Sequence, residues 1–187
     1  SIMKAGAADY QKIMKLNNPL LNQFITTSVE ICNPEHIFVG TDSIEDIQYT
    51  KEAAVRNNEE KKLSMDGHTV HFDGFHDQAR DKIHTKFLLP GGTSLGPELN
   101  TIDRDEGLKE LSQIMINIMA GHELFIKFYC LGPVNSPFSI PCIQLTDSAY
   151  VAHSQDLLYR QGYQEFIRQG NNARFFKFVH SQGELEE

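Results

Sequence analysis

The chain has 187 residues, of which 40% are apolar, and its formal net charge is -8 at pH 7. This length and apolar content fit one globular domain with a real core, so residues 1–187 are predicted to form a single domain. The acidic charge, without any cluster of Lys and Arg, argues against a nucleic-acid partner. No apolar run reaches the roughly 18 residues of a membrane span, and no signal-peptide pattern is present. A cytoplasmic protein without a membrane partner is therefore expected.

The first 60 residues predict two helices, a strand and a third helix. Apolar residues recur at helical spacing over 10–16 and 20–29, with Asn-Asn-Pro between the two segments. Residues 36–40 are a short apolar run closed by glycine, which predicts a strand. Ser43 followed by Asp46 three residues later predicts the start of a helix that continues to about residue 58.

A charged segment and a turn signal follow the third helix. Its members are Arg56, Glu59, Glu60, Lys61 and Lys62. The mixed charges are interpreted as a solvated helix end. Residues 63–72 have Asp-Gly at their centre, and both residues tolerate positive φ, which predicts a β-hairpin.

The remaining elements alternate between strand and helix. We predict strands over 82–89, 124–130, 139–145 and 174–180, and helices over 103–120 and from about 147 to 162. This mixture of hairpins and interleaved helices predicts an α/β fold with a mixed β-sheet flanked by helices.

Several side chains in these elements are expected in the core. The aromatic residues next to apolar neighbours are Phe125, Phe128, Tyr129, Phe138, Phe175, Phe176 and Phe178. The three cysteines, Cys32, Cys130 and Cys142, are odd in number and form no Cys-x-x-Cys pair. Buried free thiols in a reducing compartment are expected.

Four of the eight histidines lie within residues 68–84, near Asp73 and Asp77: His68, His71, His76 and His84. Imidazole and carboxylate are ligands of zinc and other transition metals, so a metal site is one interpretation. His68 and His71, however, lie three apart in a predicted strand and would point to opposite faces. This favours polar hairpin and loop residues, and no metal site is predicted.

Two other patterns invite a catalytic interpretation. Residues 90–96 are glycine-rich but lack the Gly-Lys-Ser/Thr ending of a phosphate loop, and no helix follows at once, so a connecting loop is predicted. Thr146, Asp147, Ser148 and His153 include the residue types of a hydrolase triad. Without a Gly-x-Ser-x-Gly elbow, Asp147 and Ser148 are interpreted as helix caps.

Residues 124–162 carry a dense pattern of turn and polar residues. An apolar strand leads into a Gly-Pro, small-residue, Ser-Pro turn, and a second strand ends in Thr-Asp-Ser followed by Tyr-Val. The positions are Gly132, Pro133, Ser136, Pro137, Thr146, Asp147, Ser148, Tyr150 and Val151. In this pattern the chain resembles the N-terminal domain of GTP-type phosphoenolpyruvate carboxykinases, which implies the same mixed sheet flanked by helices.

Three further segments fall in the same order as in that family. They are residues 31–43, the Asp-Gln-Ala-Arg sequence at 77–80, and residues 176–183 with their Val-His-Ser turn. The resemblance therefore covers most of the chain and is weak in the first 30 residues.

The resemblance implies a lyase that converts oxaloacetate and GTP to phosphoenolpyruvate, GDP and carbon dioxide in gluconeogenesis, with Mn²⁺ or Mg²⁺ holding the phosphates. Of the family's substrate-binding residues, Arg80 alone transfers to this chain, where its planar guanidinium would hold a carboxylate or phosphate. No Gly-x-x-x-x-Gly-Lys-Ser/Thr loop occurs here. Catalytic, nucleotide and metal sites are therefore expected in a C-terminal nucleotide-binding domain absent from this chain, and the fragment is expected to be inactive alone.

The chain departs from the family after Arg80. The family has an aliphatic residue, an acid and Ser-Lys-Thr there, whereas residues 81–85 are Asp-Lys-Ile-His-Thr. Asp81 is placed to pair with Arg80 and weaken its anion binding, and residues 90–100 differ as well. These departures are also compatible with a branch that uses pyrophosphate in place of GTP, with a paralogue of other activity, and with a non-catalytic small-ligand binding or interaction module on the same fold. The residues that select GTP, ATP or pyrophosphate are expected outside this stretch.

Overall fold

The computed structural model describes residues 4–74 and 81–183. The described residues fall into two compact units, one from Ser1–His71 together with Asn117–Glu187 and the other from Phe72–Ile116. In chain order the helices and strands are α1 (Ala7–Lys15), α2 (Pro19–Cys32), β1 (His36–Val39), α3 (Ile44–Arg56), β2 (Lys61–Lys62), β3 (Thr69–Val70), β4 (Phe87–Leu89), β5 (Thr101–Asp103), α4 (Arg104–Met115), β6 (Glu123–Leu131), β7 (Ile140–Thr146), α5 (Ala149–Leu158), β8 (Arg160–Gln161), α6 (Tyr163–Gln169) and β9 (Phe176–His180). None of the described helices is long and apolar enough to cross a membrane.

The first unit is built on a mixed sheet with strand order β1-β6-β7-β9. β1 is parallel to β6, β6 is antiparallel to β7, and β7 is parallel to β9, while the short β8 pairs with β6. The central strand β6 is buried along Leu124–Cys130, as its apolar sequence requires. The mixed sheet flanked by helices confirms the predicted fold class.

Local capping signals were reliable in this unit. Asn18 accepts the Leu21 amide at 3.0 Å and begins α2, and Ser43 accepts the Asp46 amide at 3.1 Å and begins α3. Ser148 begins α5 by accepting the Val151 amide at 3.1 Å. The predicted cap at Ser148 is confirmed.

Helices α3 and α5 pack over one face of the sheet. Their shared core consists of Phe38, Ala53, Ala54, Phe125, Ala149 and Ala152. The alanines leave room for the two helices to approach closely above the aromatic rings. All three cysteines are buried and free, as predicted.

The helix predicted from about 147 to 162 is present but ends four residues earlier than predicted. α5 ends at Leu158, and Arg160 and Gln161 instead pair with Cys130 and Tyr129 of β6. The Gly162 amide donates to the Phe128 carbonyl at 2.9 Å, and α6, which was not predicted, follows directly. Pairing with a distant strand overrides the local helical pattern here.

The prediction that these aromatic side chains lie in the core was wrong for three of them. Phe125, Phe128 and Tyr129 are buried, but Phe138, Phe176 and Phe178 are 75%, 56% and 45% exposed. Phe138 lies in the turn between β6 and β7, while Phe176 and Phe178 belong to β9 at the end of the sheet order.

The predicted hairpin is confirmed, in a short form. β2 and β3 pair antiparallel, and the Leu63 amide donates to the His68 carbonyl at 3.0 Å. Gly67 adopts φ +75° in the connecting turn. His68 and His71 lie on either side of β3 rather than within it, so the prediction that both are strand residues was wrong.

In the second unit, β4 is parallel to β5 and α4 follows at once. α4 packs on β4 at Gly107, where an added Cβ would lie 2.7 Å from Leu88 Cγ. The predicted strand 82–89 begins only at Phe87, because residues 81–84 form a turn, and the predicted helix 103–120 ends at Met115. Asn117, with φ +57°, lies beyond that end in a conformation that a helix cannot continue.

Candidate functional site

The predicted substrate contact, Arg80, lies outside the described residues, as does His76. Directly after them, Asp81 Oδ1 accepts the amides of Ile83 and His84, both at 3.0 Å, and Asp81 Oδ2 lies 2.5 Å from His84 Nδ1. These bonds from His84, followed by that from Ile83, lower the pKa of the Asp81 carboxyl. The carboxylate of Asp81, which follows Arg80 in the sequence, is thus hydrogen-bonded within the turn formed by residues 81–84.

His68 and His71 have different partners. His68 Nδ1 lies 3.0 Å from the Asp66 carbonyl inside the hairpin turn. His71 Nδ1 lies 2.6 Å from the Glu59 carbonyl, and its ring stacks on Tyr150 with centroids 3.5 Å apart. In the described parts of the chain, no group of three or more His, Cys, Asp or Glu side chains is placed to hold a metal ion.

The glycine-rich segment at residues 90–96 connects β4 to β5, and α4 begins only at Arg104. Its geometry is that of the predicted connecting loop. The phosphate-loop interpretation finds no support in it, because such a loop delivers its amides at the start of the next helix.

Two of the motifs that carry the family resemblance meet where β7 and β9 end. Thr146 Oγ1 and His180 Nδ1 are 2.9 Å apart. Asp147 accepts the Ser181 hydroxyl at 2.5 Å and the Gln182 amide at 2.9 Å. The prediction that Asp147 caps α5 was therefore wrong. Burial lowers the pKa of His180, although nearby Asp147 opposes this shift. The Thr-Asp-Ser and His-Ser segments therefore form one polar cluster, which joins the two strand ends.

Glu59 completes this polar cluster from the other side. Its carboxylate accepts the Ser148 hydroxyl at 2.6 Å, the Ala149 and Tyr150 amides at 3.1 and 2.9 Å, and the Gln182 side-chain amide at 3.1 Å. It thereby accepts hydrogen bonds from the first N–H groups of α5, where the helix dipole stabilises a negative charge. Glu59 is the residue that joins α5 to the end of β9.

Glu60 also differs from its predicted role. It is 5% exposed, and its Oε1 lies 2.7 Å from Nδ1 of His153, which is 6% exposed. The interpretation of Glu59 and Glu60 as part of a solvated helix end was therefore wrong, although Lys61 and Lys62 are exposed. No local spacing indicates these roles, because the side-chain partners at α5 and after β9 lie 89 to 123 positions away.

A polar cavity of about 560 Å³ opens beside this cluster. Its lining residues are His36, Tyr49, Arg56, Asn57, Glu59, Gly121, His122, Glu123, Asp147 and Gln182. Tyr49 donates to Glu123 Oε1 at 2.8 Å, and Arg56 lies 3.9 Å from Glu123 Oε2. Burial and, next, the bond to Glu123 raise the pKa of Tyr49 to about 12.

The carboxylates of this cavity have structural roles, because they bind neighbouring elements to one another. Glu59, Glu123 and Asp147 each accept bonds from neighbouring side chains or amides. The residue types of a hydrolase triad are not assembled into one, since Ser148 donates to Glu59 while His153 pairs with Glu60. The arrangement stabilises the sheet end and α5 and offers no activated nucleophile among the described residues.

Comparison with known proteins places these motifs in a family. A family model described as the phosphoenolpyruvate carboxykinase N-terminal domain matches residues 23–187. The phosphoenolpyruvate carboxykinase (GTP) of Pyrococcus horikoshii is 56% identical over 178 residues, and that of Thermococcus sibiricus is 54% identical, each over 95% of this chain and 28% of the relative. The enzyme of the same name from Saccharolobus solfataricus is 41% identical over 93% of the chain.

The chain thus spans a little over a quarter of the length of these relatives, and the match includes every segment that carried the resemblance. The chain belongs to the phosphoenolpyruvate carboxykinase N-terminal domain family.

Proposed function

We propose that this chain is the N-terminal, substrate-side part of a GTP-dependent phosphoenolpyruvate carboxykinase. The full-length enzyme would convert oxaloacetate and GTP to phosphoenolpyruvate, GDP and carbon dioxide in the cytoplasm. The observation that carries the proposal is 54–56% identity over 95% of the chain to relatives that bear this name. Residues 1–187 would act as one substrate-side region, inactive without the remainder of the enzyme.

Arg80 is the proposed substrate contact. Its guanidinium presents two parallel N–H donors, which match a pair of carboxylate or phosphate oxygens and orient oxaloacetate for reaction. The sequence Asp-Gln-Ala-Arg at residues 77–80 supports this role through its similarity to the family. The local bonds of Asp81 are consistent with it, because they already engage the neighbouring carboxylate.

GTP is the proposed phosphoryl donor, since the compared relatives carry it in their names. The described residues of this chain provide no metal-binding group and the sequence has no phosphate loop. We therefore assign the nucleotide and the Mn²⁺ or Mg²⁺ ions to a C-terminal nucleotide-binding domain.

The direct test is an assay of the full-length gene product for oxaloacetate decarboxylation with GTP, ATP or pyrophosphate in parallel. We expect turnover with GTP alone and none from the 187-residue chain. Robust activity of the 187-residue chain would refute the proposed division of labour. Turnover with ATP or pyrophosphate in place of GTP would refute the proposed donor.

Arg80 is tested in the full-length protein with Arg80→Ala, Arg80→Lys and the matched control Lys82→Ala. Loss of a bidentate charged contact should lower kcat/KM for oxaloacetate by about 100-fold for the Ala variant, with partial recovery in the Lys variant. KM for GTP should stay unchanged in all three. Unchanged oxaloacetate kinetics in Arg80→Ala would remove Arg80 from the site.

The second candidate, a non-catalytic binding module, is favoured by the departure of residues 81–85 from the family pattern. It predicts a full-length protein that is inactive with all three donors but still binds oxaloacetate in calorimetry. Arg80→Ala should abolish that binding if the module kept the same contact.

A further inference from the structure

The chain passes from the first compact unit to the second directly after His71. The first unit includes residues up to His71, and the second begins with Phe72. Arg80, the proposed substrate contact, lies nine positions after His71 in the sequence. Nine residues of extended chain reach at most about 30 Å, so the placement of His71 limits the positions open to Arg80.

The ring of His71 is held from two sides. Its Nδ1 lies 2.6 Å from the Glu59 carbonyl oxygen, and Nδ1 is the donor because a carbonyl oxygen can only accept. The same ring stacks on Tyr150 with centroids 3.5 Å apart and an angle of 11° between the planes. Both residues are half-buried. The hydrogen bond and the stack together fix the position and the orientation of the imidazole.

Glu59 binds both partners of this stack. Its carbonyl oxygen accepts from His71, and its carboxylate accepts the Tyr150 amide at 2.9 Å. Tyr150 lies in the first turn of α5, and the same carboxylate accepts the hydroxyl of Ser148, the residue that begins this helix. We call His71, Tyr150 and Glu59 the His71 anchor. It connects the end of the β2–β3 hairpin to a helix that packs on the main sheet.

The sequence that follows Arg80 is hydrogen-bonded within the second unit. Asp81 Oδ1 accepts the amides of Ile83 and His84, both at 3.0 Å. The side-chain amide of Asn100 donates to the Ile83 carbonyl at 2.6 Å. In sequence, Arg80 is therefore preceded by an anchored residue and followed by a hydrogen-bonded turn. A short segment with both flanks fixed has fewer conformations to lose than one fixed at a single end.

We propose that the His71 anchor positions Arg80. It restricts the segment that carries Arg80 before substrate arrives, so less conformational entropy is lost when the guanidinium binds a pair of carboxylate or phosphate oxygens. This inference rests on the proposed function, which makes Arg80 a substrate contact. His71 and Tyr150 are then positioning residues, because they act through Arg80 and do not touch the substrate.

The chain returns to the first unit through a separate connection at Asn117. The Asn117 amide donates to the Ile31 carbonyl at 2.9 Å, and its side chain accepts the Asn33 side-chain amide at 3.0 Å. These bonds involve no residue of the His71 anchor. Substitutions in the anchor should therefore loosen one connection and leave the fold intact.

The kinetic test uses the full-length gene product. His71→Ala and Tyr150→Leu should raise KM for oxaloacetate about three- to tenfold, the range that an aromatic stack contributes, and leave kcat within about twofold. Tyr150→Phe keeps the ring and should behave like wild type. The matched control is His68→Ala, at an exposed residue of the same hairpin. A lower kcat at unchanged KM would show a merely structural role and overturn the inference.

A double-mutant cycle shows whether His71 acts through Arg80. In the Arg80→Ala background, His71→Ala should change kcat/KM for oxaloacetate by less than about twofold, because the side chain that it positions is gone. If the effects of the two substitutions multiply, His71 acts independently of Arg80 and the inference is wrong.

A spectroscopic measurement separates this inference from the proposed function. Nitroxide labels at Leu20→Cys and Lys82→Cys, exposed positions of the two units, report the width of the distance distribution between them. Cys32, Cys130 and Cys142 are buried, and accessible cysteines elsewhere in the full-length protein are replaced first. His71→Ala should broaden the distribution, whereas His68→Ala should not. An unchanged width in an active enzyme would refute the anchor alone. A broadened distribution in a protein without carboxykinase activity would refute the proposed function and retain the anchor.

Discussion

Glu59 and Ser148 lie 89 positions apart in the sequence, and the Ser148 hydroxyl donates to the Glu59 carboxylate over 2.6 Å. The same carboxylate accepts two backbone amides at the start of α5 and the side chain of Gln182. One acidic residue after α3 thus fixes both α5 and the turn that follows β9.

Glu59→Gln should lower the free energy of unfolding by about 1–3 kcal/mol, because an amide nitrogen would face donors that need an acceptor. Urea denaturation measures the change. Glu52→Gln, an exposed acid-to-amide change on α3, is the control and should stay within about 0.5 kcal/mol. Equal effects of the two substitutions would contradict the capping role of Glu59.

Glu165 makes the stability of the β6–β7 turn depend on pH. Its carboxylate is held by Arg168 at 2.7 Å, the Ser139 hydroxyl at 2.7 Å and the Asn135 amide at 2.6 Å. These bonds, that of Arg168 first, lower the pKa of Glu165 from 4.5 to about 2. The stabilisation is complete above pH 4.5 and is lost as the pH falls through 2.

The stability difference between wild type and Glu165→Gln should therefore be about 2 kcal/mol at pH 7 and shrink as the pH falls from 4.5 towards 2. Urea midpoints across this range measure it. Other carboxyl groups titrate in both proteins, so only the difference reports on Glu165. A difference that is the same at pH 7 and pH 2.5 would count against the assignment.

Lys127 and Asp156 form an ion pair beneath α5. Their side chains are 0% and 1% exposed, and Nζ lies 3.0 Å from Asp156 Oδ2. Asp156 Oδ1 accepts the Tyr129 hydroxyl at 3.0 Å, and burial, followed by Asp156, raises the pKa of Tyr129. Removing one member of a buried pair leaves the other charge without compensation.

Lys127→Met should therefore cost about 3–5 kcal/mol of unfolding free energy, and Lys127→Met with Asp156→Asn should cost less than the sum of the two single changes. A double-mutant cycle by chemical denaturation gives the coupling. Lys62→Met, at an exposed position, serves as control. Additive effects would mean that the two charges do not stabilise each other.

Gly162 is required for a close backbone contact. A Cβ at this position would lie 2.3 Å from the Tyr129 carbonyl carbon, inside the pairing of β8 with β6. Gly162→Ala should destabilise the protein by about 2 kcal/mol or more, because backbone on both sides would have to move. Gly6→Ala, where nothing lies within 4 Å, should leave the thermal midpoint nearly unchanged. Similar midpoints for both variants would disprove the contact.

Local sequence signals predicted the local structure well. Asn18, Ser43 and Ser148 begin helices because their side chains accept amides three residues away, within the span that a motif encodes. The Asp66-Gly67 hairpin and the buried strand β6 follow from equally local patterns. The family resemblance also came from the sequence, since turn residues at fixed spacing need no knowledge of their partners.

Errors arose where distant contacts compete with local pattern. Residues 160–161 follow a helix but pair with β6, and Phe176 has a core-like neighbourhood in sequence yet lies at a sheet edge. Periodicity reports which face a residue occupies in its own element. It carries no information on whether another element covers that face.

The sequence by itself determined the family, the fold class and Arg80 as the residue to test, because these depend on local motifs and composition. Tertiary structure alone decided that Glu59 and Glu60 bind Ser148 and His153, that the Thr-Asp-Ser and His-Ser segments meet, and that Phe176 and Phe178 are exposed. Each of these depends on pairs more than 30 residues apart or on the order of strands in the sheet. Such relationships are fixed by how the elements pack, which the local pattern of any one element does not encode.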